Sequence, residues 1–332
     1  MIFKNRLCTV VAALLSLVII MMGGCGSFGA TKSVDVFWDT ALMQNVTRLT
    51  DDGLQKAWAK ISPDGKKMLY CEMPKNDSQY NIMLLRDVTV SAKTPLINDS
   101  SFAPAWYGNN INFAYIANEK AGTRIIKSAI TGGGKTYITR NNIGLAENCP
   151  SIRGEAILFH TLVDPNAYPY AKYQIYSMRD NGTELTMLGD GQYPSWHPTQ
   201  AKFVFIRGGD IYEMDIASVQ VTQLYSDKDY NCAMPSYSTD GQYILFQKGA
   251  EKKVTGTVVS KAGGLIKKVT KISSTQTKWQ LFTIKVDGTS LSPLTFGEVD
   301  AFHPSWGANN FVYFVSNASG KTELYRARVN TN

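Results

Sequence analysis

The sequence predicts an all-β fold, a six-bladed β-propeller whose ring is closed by an N-terminal outer strand pairing with the C-terminal blade. Three observations lead there. A short phrase returns six times: a turn-rich stretch, Pro-Ser-Trp or a variant, a polar turn, an apolar strand such as Ile-Leu-Phe, and a further strand such as Ile-Tyr. Its anchor falls at Ile61, Trp106, Ile152, Trp196, Tyr237 and Trp306, with separations of 45, 46, 44, 41 and 69. A period of about 40 to 45 residues holding four short strands marks a propeller blade. Finally, the last repeat lacks an outer strand, while a spare one, Val46-Thr47-Arg48-Leu49-Thr50, stands ahead of the first.

In chain order, residues 1–24 read as a secretory signal. Lys4 and Arg6 precede an apolar run from Leu7 to Met22, too short for a comfortable membrane span and ending in small residues. Met22-Gly23-Gly24-Cys25 resembles a bacterial lipobox, which implies cleavage before Cys25 and lipid on the new N-terminus; an ordinary cleaved signal is the alternative. Residues 25–45 form the expected tether, flexible at Gly26, Ser27, Gly29 and Ala30, with Val34 to Trp38 alternating as if laid against the propeller. Acyl chains contribute roughly 0.8 kcal/mol per buried methylene, so this anchor would hold the protein on a membrane while the propeller stays in water.

The propeller is expected over residues 46–332. In blade four, Tyr193 to Trp196 is the inner strand, Phe203 to Ile206 the second and Ile211 to Met214 the third, with Leu185 to Leu188 the outer strand of blade three. Blade five repeats the order, and its Asp240-Gly241 pair supplies the positive φ of a tight hairpin, as Asp64-Gly65 does in blade one. Blade six ends with Phe311 to Phe314 and Thr322 to Arg326, so the strand at 46–50 is expected beside Leu324 and Tyr325, covering an open edge. The long fifth interval holds an insertion, residues 251–278, between the second and third strands of blade five. Two β-prone runs flank Gly263-Gly264, predicting a basic hairpin that carries Lys261, Lys267, Lys268 and Lys271; a lysine-rich loop is the alternative.

Charge and cysteines narrow the function. Of the formal +7, two positive charges lie in residues 1–24 and a net six in residues 251–278, which leaves −1 on the rest. A near-neutral propeller does not suit nucleic acid. Besides Cys8 and Cys25 there are Cys71, Cys149 and Cys232, in different blades. An odd number cannot pair fully, and a bridge from Cys149 to Cys232 would have to cross the channel, so free thiols are expected.

Pro194-Ser195-Trp196-His197-Pro198, Ser62-Pro63-Asp64-Gly65 and Pro235-Ser236-Tyr237-Ser238-Thr239-Asp240-Gly241 resemble the Pro-x-Trp-Ser-Pro-Asp-Gly repeat of TolB-like propellers, which also build the propeller domain of some prolyl-type peptidases. The likeness covers residues 46–329. Blade three lacks the Trp and the Asp, and blades two, four and six lack Asp-Gly. The resemblance implies a fold and no particular activity, because these residues turn hairpins and pack blades.

For chemistry the chain offers His160, His197 and His303 but no Gly-x-Ser-x-Gly elbow. The repeat alignment puts the three histidines at different heights, which does not suit a shared metal. Loops leading into the inner strands should open on one face around the channel, gathering Phe102, Tyr193, Asp227, Asp229, Tyr230, Asp300, Phe302 and His303, with Asp164, Tyr168 and Tyr170 nearby. Aromatic rings beside carboxylates suit a protein or glycan ligand, and the same carboxylates could hold Ca²⁺, although no loop has a calcium spacing; otherwise no cofactor is expected. The expectation is therefore an envelope lipoprotein, monomeric and extracytoplasmic, on the periplasmic side or the cell surface, acting as a non-catalytic binding module. The alternatives are a propeller enzyme on polysaccharide, a lyase or hydrolase with His303 and Asp300 as acid and base, and a purely structural lipoprotein.

Overall fold

A computed structural model describes residues 37–331 apart from 91, 142, 168–170, 263 and 264, with the side chains of 251–277 also undescribed. Six antiparallel sheets of four strands make up the propeller. Their inner strands are Gln55–Ile61, Ser101–Trp106, Ala146–Arg153, Gln192–Trp196, Asn231–Tyr237 and Ala301–Trp306, and each touches the next, the last returning to the first. The predicted secretory segment, Cys25 and most of the tether lie outside the described residues.

Second strands fill the space between blades. Leu69 to Cys71, Phe113 to Ile116, Ile157 to Phe159, Phe203 to Ile206, Ile244 to Phe246 and Val312 to Val315 are all buried. Each sheet has a neighbour on both faces, which is why these strands read as unbroken apolar runs instead of alternating. Between inner and second strands, the Ser-x-Asp-Gly turns hold themselves together. In blade one the Ser62 hydroxyl donates to Asp64 (2.6 Å) and accepts from the Lys67 N–H (2.8 Å), while Gly65 takes φ +72°.

The ring closes as expected. Met43–Arg48 pairs antiparallel with Glu323–Val329, Arg48 opposite Tyr325 and Thr47 opposite Arg326, and the Leu49 N–H donates to Leu324 O at 2.7 Å. This strand begins at Met43, three residues before the predicted start. The chain is engaged earlier still, since Phe37 is buried against Tyr325 and Trp38 forms a bridge with Thr295.

A buried ion cluster reinforces the seam between blades six and one. Lys56, wholly inaccessible, meets Asp52, Glu323 (3.3 Å) and Glu72 (3.7 Å); Lys93 bonds Asp52 (2.6 Å) and Glu72 (2.7 Å). Glu323 also accepts from the Thr50 hydroxyl (2.6 Å) and the Gly53 N–H (2.7 Å). Burial alone would raise the Asp52 pKa, but hydrogen bonds from the two lysines override it and hold the carboxyl well below its usual range.

Blade five's second and third strands are Tyr243–Ala262 and Leu265–Lys285, so strand structure runs through both arms of the predicted hairpin. The side chains of Lys261, Lys267, Lys268 and Lys271 lie outside the described residues. Cys71, Cys149 and Cys232 are free.

Candidate binding channel

Each inner strand carries the same irregularity. Three residues before the anchor, at Trp58, Ala103, Cys149, Tyr193, Met234 and His303, φ lies between 47° and 54°, and the register with the second strand slips there. These are β-bulges, and they explain the proline of the repeat. Pro104, Pro150, Pro194, Pro235 and Pro304 follow immediately, at a point where a missing N–H removes no ladder bond.

A bulge frees a backbone N–H inside the protein, and a buried donor needs an acceptor. Neighbouring blades supply it. Tyr193 N–H donates to His160 Nδ1 (3.1 Å), His303 N–H to Gln247 Oε1 (2.7 Å) and Trp58 N–H to His303 Nδ1 (3.1 Å). His160 and Gln247 occupy equivalent positions, opposite Asn148 and Ala233 on their respective inner strands. His197 Nδ1 accepts from Thr199 (3.2 Å) and Gln200 (3.0 Å). An imidazole accepting at Nδ1 carries its proton on Nε2, so none of the three rings offers a free lone pair to a metal or a base role. Burial pushes His160 and His303 down to about 3, with the Lys60 charge adding to the effect on His303.

Inside the ring lies a cavity of about 260 Å³, lined from the bulges to the turns that follow the inner strands, where Pro63 and Thr239 are exposed and mark its open end. Most of the residues lining it are apolar, among them Ala105, Met234, Trp306 and four of the repeat prolines, while polar atoms make up nearly half of its surface. Lys60 is the sole charged residue among those lining it. The residues before the six anchors are Lys60, Ala105, Ser151, Ser195, Ser236 and Ser305, so one long cation stands where five blades carry a small side chain.

The predicted site is only partly assembled. Phe102, Phe302 and His303 lie within inner strands, not in the loops before them, because the strands extend beyond the bulge, and Tyr193 lies in the inner strand expected to begin with it. Phe102 and His303 both pack on Trp58, His303 stacked at 4.9 Å, and Phe302 meets the His303 edge. Asp227, Asp229, Tyr230 and Asp300 are in loops as expected. Asp227 accepts from Lys248 (3.0 Å) and the Tyr225 hydroxyl (3.0 Å), and the Lys248 ammonium also lies over the Tyr230 ring; the Asp229 N–H donates to Asp227. Asp300 accepts from the Trp279 N–H (2.9 Å) and the Asn317 amide (3.2 Å). Of the eight residues, Tyr193 alone lines the cavity. The cavity walls contribute no carboxylate among the described residues, and no cluster of three His, Cys, Asp or Glu is found among them. Tyr168 and Tyr170 lie outside the described residues, and Asp164 ends a second strand.

Lys60 and Trp58 went unnoticed in the sequence reading. The signal for Lys60 was present, in the column of residues one before the anchor.

No family model and no curated protein matches the sequence. Solved structures do match in fold. A TolB structure from Agrobacterium tumefaciens is similar at 14% identity and TM-score 0.58, over 86% of this chain and 97% of that one. An oligogalacturonate lyase in complex with manganese gives 12% and 0.56, over 90% and 96%. A gluconolactonase from Xanthomonas campestris gives 10% and 0.61, over 87% and 92%. Identities this low establish the fold alone: the chain is a six-bladed β-propeller, an architecture it shares with these structures.

Proposed function

We propose that the protein is an envelope lipoprotein, anchored through lipid on Cys25, that works as a non-catalytic binding or assembly module and receives a protein or glycan ligand at the propeller channel. The observation that carries the reading is the use made of the histidines. All three Nδ1 atoms accept backbone N–H groups, two of them bracing the bulges that shape the channel. The groups best suited to proton transfer are thereby spent on architecture, while the cavity stays lined with donors and apolar walls.

The polysaccharide enzyme with His303 as acid and Asp300 as base draws on the lyase and the gluconolactonase among the similar structures. In this chain Trp58 holds the one and Trp279 with Asn317 the other. The lysines of 251–278 are assigned a salt-sensitive contact with acidic protein, anionic glycan or lipid headgroups. Photo-crosslinking in intact cells from a probe at Thr239, on the channel mouth, tests the binding role. Capture of one defined envelope component is expected. Turnover of a polysaccharide by the wild type, lost in a His303→Ala, Asp300→Ala double variant, would replace this reading with the enzymatic one.

A further inference from the structure

We infer that the channel is a receptor for a single carboxylate carried on an apolar stem, which enters by the turn-side mouth and is held by Lys60. This deepens the binding role proposed above and rests on it.

Lys60 lies on the inner strand of blade one, with its carbonyl oxygen taken by Trp106 Nε1 (2.9 Å). Its ammonium has neither a hydrogen-bond nor an ion-pair partner among the described residues, in contrast to Lys56, Lys93, Lys127, Lys202 and Lys248, each of which meets a carboxylate. It lines the cavity together with Cys149 of blade three and Trp306 of blade six. Lys60 is half-buried, and the partial loss of hydration lowers its pKa.

The other polar groups of the wall point to the same chemistry. Trp306 is buried and its Nε1–H has no partner among the described residues. The Ser151 oxygen accepts from the Trp196 N–H (3.1 Å), which leaves its own proton to donate. Ser195 adds a further hydroxyl. The site is rich in donors and offers no carboxylate or amide side chain among the residues that line it.

Charge balance chooses among anions. One ammonium can neutralise one negative charge; a phosphate dianion would leave a net charge in a site with no arginine to share it, which is costly in a poorly hydrated space. A uronate brings a carboxylate too, but its several ring hydroxyls would compete for few side-chain acceptors: of the wall hydroxyls Ser62, Ser151, Ser195 and Thr239, the first two already accept from backbone N–H groups. An apolar stem suits those walls. Both a free short-chain acid and an acidic side chain or C-terminus of a peptide have this chemistry.

The test uses the purified full chain in detergent. Lys60→Ser installs the residue found in four other blades, so the variant should fold with an unchanged far-UV spectrum and cooperative melt. Calorimetric titrations with hexanoate, N-acetyl-Glu-amide, galacturonate and inorganic phosphate read the site. Saturable binding of hexanoate, of the glutamate derivative or of both by wild type, weakened roughly 30-fold or more in Lys60→Ser, is expected and identifies the source. Equal affinity in wild type and variant overturns the inference, as does preference for galacturonate or phosphate, or no binding at all. Failure of the binding role shows separately, as absence of a captured partner in cells whatever the titrations give.

Discussion

A residue that looks out of place in an apolar strand can be there for its neighbour's backbone. His160 follows Ile157, Leu158 and Phe159, and Gln247 follows Ile244, Leu245 and Phe246; both accept an N–H that the next blade's bulge sets free. Replacing His160 with Leu should orphan the Tyr193 N–H and cost about 1–3 kcal/mol in urea denaturation at pH 7. His160→Gln keeps an acceptor and should cost much less. Acid separates the two further. Folded His160 and His303 titrate near 3, below the ordinary 6.5, so between these values the unfolded chain binds more protons. Stability is fully present above about 6.5 and falls as pH drops toward 3. Melting temperatures from pH 7 to 4 should decline in wild type and decline less steeply in His160→Gln. A parallel decline would exclude His160 as a source of the acid sensitivity.

At the level of strands, much was legible and the reason is periodicity. Apolar runs such as Phe203 to Ile206, fixed turns such as Asp240-Gly241, and the unmatched strand before blade one all follow from local chemistry repeated six times. Bulges were not legible, because nothing in a Pro-Ser-Trp phrase states that the residue before proline turns to positive φ. With that twist, Phe102, Phe302 and His303 belong to strands and not to the expected loops, and the cavity lies between the bulges and the turns that follow. The Lys56 cluster was equally hidden, since its carboxylates come from residues 52, 72 and 323. Glu323→Ala removes a partner of a fully buried lysine at the seam and should cost about 3–5 kcal/mol in chemical denaturation. Lys202, partly exposed beside Glu213, serves as the control, and Lys202→Ala should cost clearly less, about 1 kcal/mol.

For the whole molecule, tethering and electrostatics can be tested apart from the channel. Cys25→Ser should shift the protein from the membrane to the soluble fraction of lysed cells and abolish labelling with an alkyne fatty acid; unchanged fractionation would remove the lipid from the account. Changing Lys267, Lys268 and Lys271 to Gln should flatten the salt dependence of partner capture while the melting temperature of the propeller holds. Persistence of the full salt dependence would assign it elsewhere.

The seam has a temporal implication. Residues 43–48 leave a ribosome or a translocon long before residues 323–329, yet neither forms its ladder without the other. Residues 43–48 therefore wait without their partner until residues 323–329 have emerged, and contacts of such sequence separation form slowly. During that interval the cell must keep an incomplete ring from recruiting a foreign strand. A chaperone that shields exposed β-edges would meet that need, and slowing elongation before residue 323 should lengthen the vulnerable period.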